Sequence, residues 1–241
     1  MMARRGVIGL IGSGLTALLS GCGLFGGSSY RFRMTVEVET PGGLKTGSST
    51  YEVAAKNLIS ILPDMADRQW SIKGEAVAVD LPGGKTLFAL LKTGAIQGDL
   101  AGLSMAALDP AFKNDIVESA QRIARGDGIR SPAEVAPSDY PMLVTFGDIA
   151  DPASVVQVDP ADMAARFGAG VKLRRIVVEV TDEAVSSGIE DRLAWLPEYY
   201  SRQFSGDRFQ MLKNKSTGLS AFMSSGSFSA GNGLSAHQRE E

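Results

Sequence analysis

Residues 30–40 read Tyr-Arg-Phe-Arg-Met-Thr-Val-Glu-Val-Glu-Thr, and their order decides the fold. Tyr30, Phe32, Met34, Val36 and Val38 alternate with Arg31, Arg33, Thr35, Glu37 and Glu39. A period of two places one set on each side of a strand, one side dry and the other wet. Burying the five apolar side chains contributes roughly 1.5–3 kcal/mol each before entropy is counted. Pro41-Gly42-Gly43 then turns the chain, because Pro presets one dihedral and Gly supplies a positive one. A second, more polar strand is expected over Lys45 to Val53, with Tyr51 and Val53 as its apolar contacts.

The same turn chemistry recurs at Pro82-Gly83-Gly84-Lys85, joining Trp70–Leu81 to Thr86–Lys92 in a second hairpin. Here Val77, Val79 and Leu81 occupy one face and Ala76 and Ala78 the other, as expected of a more central pair. The likeness between Val36–Gly43 and Val77–Gly84 is read as shared hairpin chemistry in preference to an internal repeat. Leu58 to Leu62, ending at Pro63, fits a short helix or a strand.

Helices come later. Asp109-Pro110 has the form of an N-cap with Pro at the first position, and Ala111 to Arg125 follows with Ile116, Ala120 and Ile123 at helical spacing before Gly126. Asp159-Pro160 opens a second helix, Ala161 to Phe167, stopped at Gly168. Ile189 to Leu196 forms a third, closed by Pro197. Met142–Phe146 and Leu173–Thr181 are further strands, the latter with Ile176, Val178 and Val180 on one side. Phe222 and Phe228 are candidates for a last short strand. The order of elements implies an α+β fold: an antiparallel sheet built from two N-terminal hairpins plus later strands, with a few short-to-medium helices.

The chain begins differently. Arg4 and Arg5 precede an uncharged, largely apolar run, Val7 to Leu19, and then Ser20, Gly21 and Cys22. A positive zone, a short apolar zone and small residues are the grammar of an export signal. The apolar run is shorter than the roughly 20 residues that span a bilayer, and Gly6, Gly9, Gly12 and Gly14 weaken any helix there. Cys22 is the only cysteine of 241 residues, so no intramolecular disulfide is possible.

Leu19-Ser20-Gly21-Cys22 resembles the lipobox of bacterial lipoproteins. The resemblance implies cleavage between Gly21 and Cys22 and lipid attached to Cys22. It makes the membrane a partner through the lipid anchor and places the body in the cell envelope, facing the periplasm. Gly23 in place of the family's Asp retention signal implies the outer membrane more than the inner. Each buried methylene contributes about 0.8 kcal/mol, so two or three acyl chains hold effectively permanently. Residues 1–21 are thus expected to be a signal peptide and 22–29 the lipidated Cys with a Gly/Ser-rich tether of roughly 15 Å mean reach. Leu24 and Phe25 are placed to dip into the interface. Residues 30–212 form one α+β domain, with a possible subdivision at the Gly/Pro-containing loop 127–138, and 213–241 form a largely disordered tail.

Charge and composition exclude several chemistries. The chain carries 24 basic and 27 acidic side chains, and losing Arg4 and Arg5 with the signal shifts the net charge from −3 to −5. That is a poor match for nucleic acid. Arg174-Arg175 is read as a solvated strand end, and Arg31 and Arg33 as solvated charges that could otherwise meet anionic head groups. A positioned imidazole is needed for a Ser-His or Cys-His arrangement, and the lone His237 sits near the end of the tail. Asp148, Asp151, Asp159 and Asp162 are dense enough to suggest calcium, but the EF-hand pattern is absent and Asp151-Pro152 and Asp159-Pro160 read as turn and cap residues. Gly168-Ala169-Gly170 follows a helix, the reverse of a dinucleotide loop. No catalytic, cofactor-binding or metal residue is assigned.

The body also resembles a group of proteobacterial envelope proteins of no known activity. The likeness is carried by Tyr30–Pro41, Glu75–Leu87, Phe146 through Asp151-Pro152, Phe167–Val171, and Thr181-Asp182 through Gly188-Ile189 to Trp195-Leu196. The expected role is non-catalytic, binding an envelope partner or scaffolding an assembly. The alternatives are an envelope hydrolase using carboxylates or a Ser-Lys pair, and a lipid- or small-ligand-binding domain.

Overall fold

The computed structural model describes residues 27–57, 68–93, 100–113, 115–208 and 218–231. Gly21, Cys22, the Leu58–Leu62 run and His237 lie outside the described residues.

In chain order the strands are β1 (Gly27–Thr40), β2 (Gly43–Asn57), β3 (Arg68–Glu75), β4 (Val77–Leu81), β5 (Lys85–Thr93), β6 (Ala133–Glu134), β7 (Pro141–Phe146), β8 (Val155–Gln157), β9 (Lys172–Val180) and β10 (Ser229–Ala230). The helices are α1 (Leu100–Leu108), α2 (Ile116–Arg125), α3 (Ala164–Phe167) and α4 (Ile189–Arg192). The fold is α+β, and all its strand pairs are antiparallel. The strands divide into two sheets, ordered β10-β3-β2-β1-β9-β6 and β4-β5-β7-β8.

The alternation in β1 is realised residue by residue. Tyr30, Phe32, Met34, Val36 and Val38 are at most 5% exposed, while the intervening residues face outward. Tyr51, Val53 and Ala55 of β2 and Ile176 and Val178 of β9 extend the same dry face. α1 and α2 cover it, with Tyr30 and Ser104 of α1 sharing a 2.7 Å hydrogen bond.

The two N-terminal hairpins fall into different sheets. The stretch Trp70–Leu81 is not one strand: it bends at Gly74, whose φ of +138° suits glycine and where a Cβ would lie 2.5 Å from the Tyr51 ring. Before the bend, β3 pairs with β2; after it, β4 pairs with β5. Ala76 at the junction donates to the Phe228 carbonyl at 2.7 Å. The sheets approach closely at Gly47, where a Cβ would meet the Ala78 carbonyl oxygen at 2.1 Å.

Several expected boundaries move. β1 begins at Gly27, inside the segment read as tether, because Gly27, Ser28 and Ser29 pair with Lys56, Ala55 and Ala54. The long helix expected from Ala111 starts at Ile116. Asp109 instead accepts from the Ala111 amide and binds Arg122 with its other oxygen, and Asp115 provides the cap by accepting from the Glu118 amide. Gly126, at φ +85°, ends this helix as expected. α3 is confined to Ala164–Phe167, with Asp162 accepting from the Ala165 amide, and Gly168 still stops it. α4 ends at Arg192, and Pro197 lies within a separate 3₁₀ turn, Leu196–Tyr199. Loop 127–138 is fastened on both sides: Ile129 donates to the Leu108 carbonyl, Val135 donates to the Ile176 carbonyl, and β6 pairs with β9.

The described part of the expected tail is folded. Residues 218–231 bring Ala221, Met223 and Phe228 into the core at 0% exposure, and β10 pairs with β3. Phe228 packs edge-on to Phe88 at 5.6 Å and also meets Phe146 and Phe204. Trp195 and Tyr199 complete this aromatic cluster.

Candidate binding cleft

The wet face of the larger sheet satisfies its own charges. Lys73, Glu52 and Arg31 lie directly opposite one another across β3, β2 and β1, and Glu52 accepts from both cations. Arg33 stands opposite Glu179 of β9 and donates to it, reaching Glu183 as well. Glu37 stands opposite Arg175, which donates to both its oxygens, and Arg174 lies 3.5 Å away. Opposed charges at ladder positions fix register. They leave this face little uncompensated charge for phosphate, so Arg31, Arg33 and the Arg174-Arg175 pair serve as sheet charges.

The acidic stretch is likewise occupied with backbone. Asp148, Asp151, Asp159 and Asp162 accept from the amides of Ala150, Ala153, Ala161 and Ala165 at 2.8–3.1 Å. Among the described residues no group of three metal-capable side chains occurs.

Hydrolysis by carboxylates needs one held protonated, with a raised pKa. Arg175 hydrogen-bonded to Glu37 and Arg192 hydrogen-bonded to Asp80 hold those carboxyls below their usual range. Burial would raise Asp109, but Arg122 and the Ala111 amide more than offset it. Glu75, 6% exposed, accepts from the Ile189 amide at 2.7 Å and so fastens the loop before α4 to β3. Lys73, Lys85 and Lys92 donate to Glu52, the Arg166 carbonyl and the Phe222 carbonyl. None of these contacts is to a Ser hydroxyl.

Among the described residues, one recess with the size of a binding site lies in the smaller sheet. β5 and β7 pair at Phe88–Val144 and Ala89–Leu143. The β5–β7 ladder ends at Phe88–Val144, while residues 85–87 go on pairing with β4 and residues 145–146 with β8. A cleft of about 530 Å³ opens there, floored by Phe88 and Phe146 and lined by Lys85, Thr86, Thr145 and the loop Gly147–Ile149. The two rings meet edge-on at 5.7 Å.

The rim is held in place. Gly147 donates to the Ser154 carbonyl, Asp148 donates to the Ser154 hydroxyl, and that hydroxyl lies 2.8 Å from the Asp148 carbonyl. Trp195 Nε1 donates to the Ile149 carbonyl at 2.7 Å, leaving the Ile149 side chain 45% exposed as an apolar lip. Across the cleft, the Thr145 hydroxyl donates to the Thr86 carbonyl. The lining holds one cation, two hydroxyls, two aromatic rings and two strand edges, with Lys85 donating to the Arg166 carbonyl, Thr86 to Asp80 and Thr145 to the Thr86 carbonyl. These groups supply no nucleophile paired with a base.

The cleft lies toward the tip of the first hairpin. Lys85 reaches Arg166, and Gly170 in the following turn sits against Pro41, where a Cβ would be 2.9 Å from the ring. β1, 14 residues long, separates this end from Gly27 by roughly 43 Å at 3.3 Å per residue.

Lys85, Thr86 and Ile149 carry no sequence signal as site residues, and Asp148 stood out only within an acidic stretch weighed for calcium, because a recess between strands distant in sequence leaves no local pattern. Trp195 within the short 189–196 segment was the one available signal. Compared with protein-family models, curated proteins and solved structures, the chain matches none.

Proposed function

We propose that this chain is an exported envelope lipoprotein, held by lipid on Cys22, whose body binds a partner at the β5–β7 cleft without catalysing a reaction. The polarity of the fold supports this reading above all. The described part of the body starts at Gly27, with four residues of sequence between it and Cys22, and the cleft lies toward the opposite end of β1. An anchor at one end and a preformed recess at the other present the recess to the periplasm. Gly23 favours the outer membrane. The likeness of residues 30–200 to proteobacterial envelope proteins belongs to the same proposal.

The test places a photo-crosslinking residue at Ile149, on the cleft lip, or at Thr35, on the charge-paired face, in the lipidated protein in intact cells. A discrete adduct from Ile149 and none from Thr35 is the expected result. Equal adducts from both, or none from either, would overturn the binding role assigned to the cleft. The cleft volume also falls within the roughly 300–1,000 Å³ of small-molecule sites, which favours a ligand-carrying role as the second reading. Native mass spectrometry of the purified protein separates the two, because a carried ligand adds a fixed mass to the intact chain.

A further inference from the structure

We infer that Trp70 and its neighbours form a membrane-contacting edge, with the indole seated among the head groups of the bilayer that holds the anchor. This inference rests on lipidation at Cys22.

Ser28 of β1 stands opposite Ala55 of β2, and Ala55 opposite Trp70 of β3. These three make one row across the end of the sheet where the chain emerges. At about 4.8 Å between strands, Trp70 lies roughly 10 Å from Ser28. The row continues the dry face of the sheet, since Tyr51, Val53 and Ala55 share its parity. Yet Trp70 is 46% exposed, while Ala55 is 2% exposed. A shallow recess of about 410 Å³ surrounds the ring, bordered by Gly27, Ser28, Ala55, Lys56 and Ser71.

The short connection to Cys22 identifies what covers this surface. Five residue steps separate Cys22 from Gly27, giving a limit of about 18 Å when fully extended and about 12 Å as a flexible coil. The head-group layer is itself roughly 5–8 Å deep. A body tethered so closely meets the interface with the end from which it is tethered. Indole prefers that layer because one edge is apolar and the N–H finds polar partners. Exposed Lys56 has a stem long enough to lay its ammonium among phosphates. One indole binds a bilayer weakly, but the anchor makes the contact intramolecular and so keeps it populated.

The test uses full-length protein, extracted from membranes and reconstituted into phosphatidylcholine–phosphatidylglycerol vesicles with or without brominated acyl chains. Tryptophan emission is compared for the wild type and Trp70→Phe, a change at an exposed ring that leaves Trp195 as the remaining indole. Intact mass is measured on the same samples. Acylated wild type that loses intensity in brominated vesicles, with the loss largely gone in Trp70→Phe, is the expected result. Acylated protein in which both forms are quenched equally, or neither is, overturns the membrane edge and leaves the anchor standing. A chain without acyl groups removes both proposals, and the mass distinguishes that failure from the other.

Discussion

Replacing Phe228 by alanine should cost the fold about 3–5 kcal/mol, the range for truncating a fully buried aromatic. Phe228 is 0% exposed, with ring centroids 5.6, 5.7 and 5.9 Å from those of Phe88, Phe204 and Phe146. Such aromatic pairs contribute about 0.5–1.5 kcal/mol each beyond burial, which favours the upper part of the range. Its backbone also closes the junction between the sheets by accepting from Ala76. Urea unfolding followed by circular dichroism measures the change, with Phe222→Ala as the control because Phe222 is 70% exposed. The control should stay within about 0.5 kcal/mol of wild type. At roughly 2–4 °C per kcal/mol, Phe228→Ala should lower the midpoint of thermal unfolding by about 6–20 °C. A Phe228→Ala protein as stable as the control would refute the claim that residues 218–231 complete the core.

Asp109→Ala should destabilise by about 2–3 kcal/mol in the same assay, because it leaves the Arg122 guanidinium without its buried, charged acceptor; a loss below about 0.5 kcal/mol would show the pair to be incidental. A double-mutant cycle on Arg33 and Glu179, both about one-third exposed, should give a coupling of about 0.5–1 kcal/mol that shrinks as salt rises, and zero coupling at low salt would contradict the register-fixing role. Stability should be level near neutrality and fall at both extremes. Glu37 and Asp80 have lowered folded-state pKa values, chiefly through hydrogen bonds from Arg175 and Arg192, so their contribution is present above the unfolded values near 4 and is lost as pH drops through the folded ones. Burial raises the Tyr51 phenol, so its contribution holds below the unfolded value near 10 and is lost as pH climbs past it; stability rising toward pH 3 would contradict the first limb.

What the sequence disclosed depended on how far each signal reached along the chain. β1 was legible because its alternation is complete over residues 30–38, with one face buried throughout. The turns at Pro41-Gly42-Gly43 and Pro82-Gly83-Gly84, and the helix stops at Gly126 and Gly168, were legible because positive φ leaves a residue signature. α1 went unread because it has no polar stripe: Leu100, Leu103, Ser104, Met105 and Leu108 are all buried, and a helix dry on most sides shows no helical period. The division into two sheets was hidden because Gly74 bends a stretch that reads as one strand, and only the packing of Phe228 and Tyr51 gives that bend a reason. The fold of 218–231 was hidden by its Ser and Gly content. Ser225 donates to the Leu196 carbonyl and Ser49 to the Glu75 carbonyl, so these polar residues are interior fasteners. The cleft was the least legible, since its walls come from residues 83–88 and 145–149, which are distant in sequence.

The central claim is that a lipid on Cys22 holds this body at a membrane. Full-length chain and Cys22→Ala are expressed in a bacterial host, membranes are fractionated, and the intact mass of the wild type is taken. A mature mass beginning at Cys22 plus two or three acyl chains, with the Cys22→Ala protein lost from the acylated membrane pool, is the predicted result. A soluble product without lipid, or a chain that retains residues 1–21, would contradict the claim.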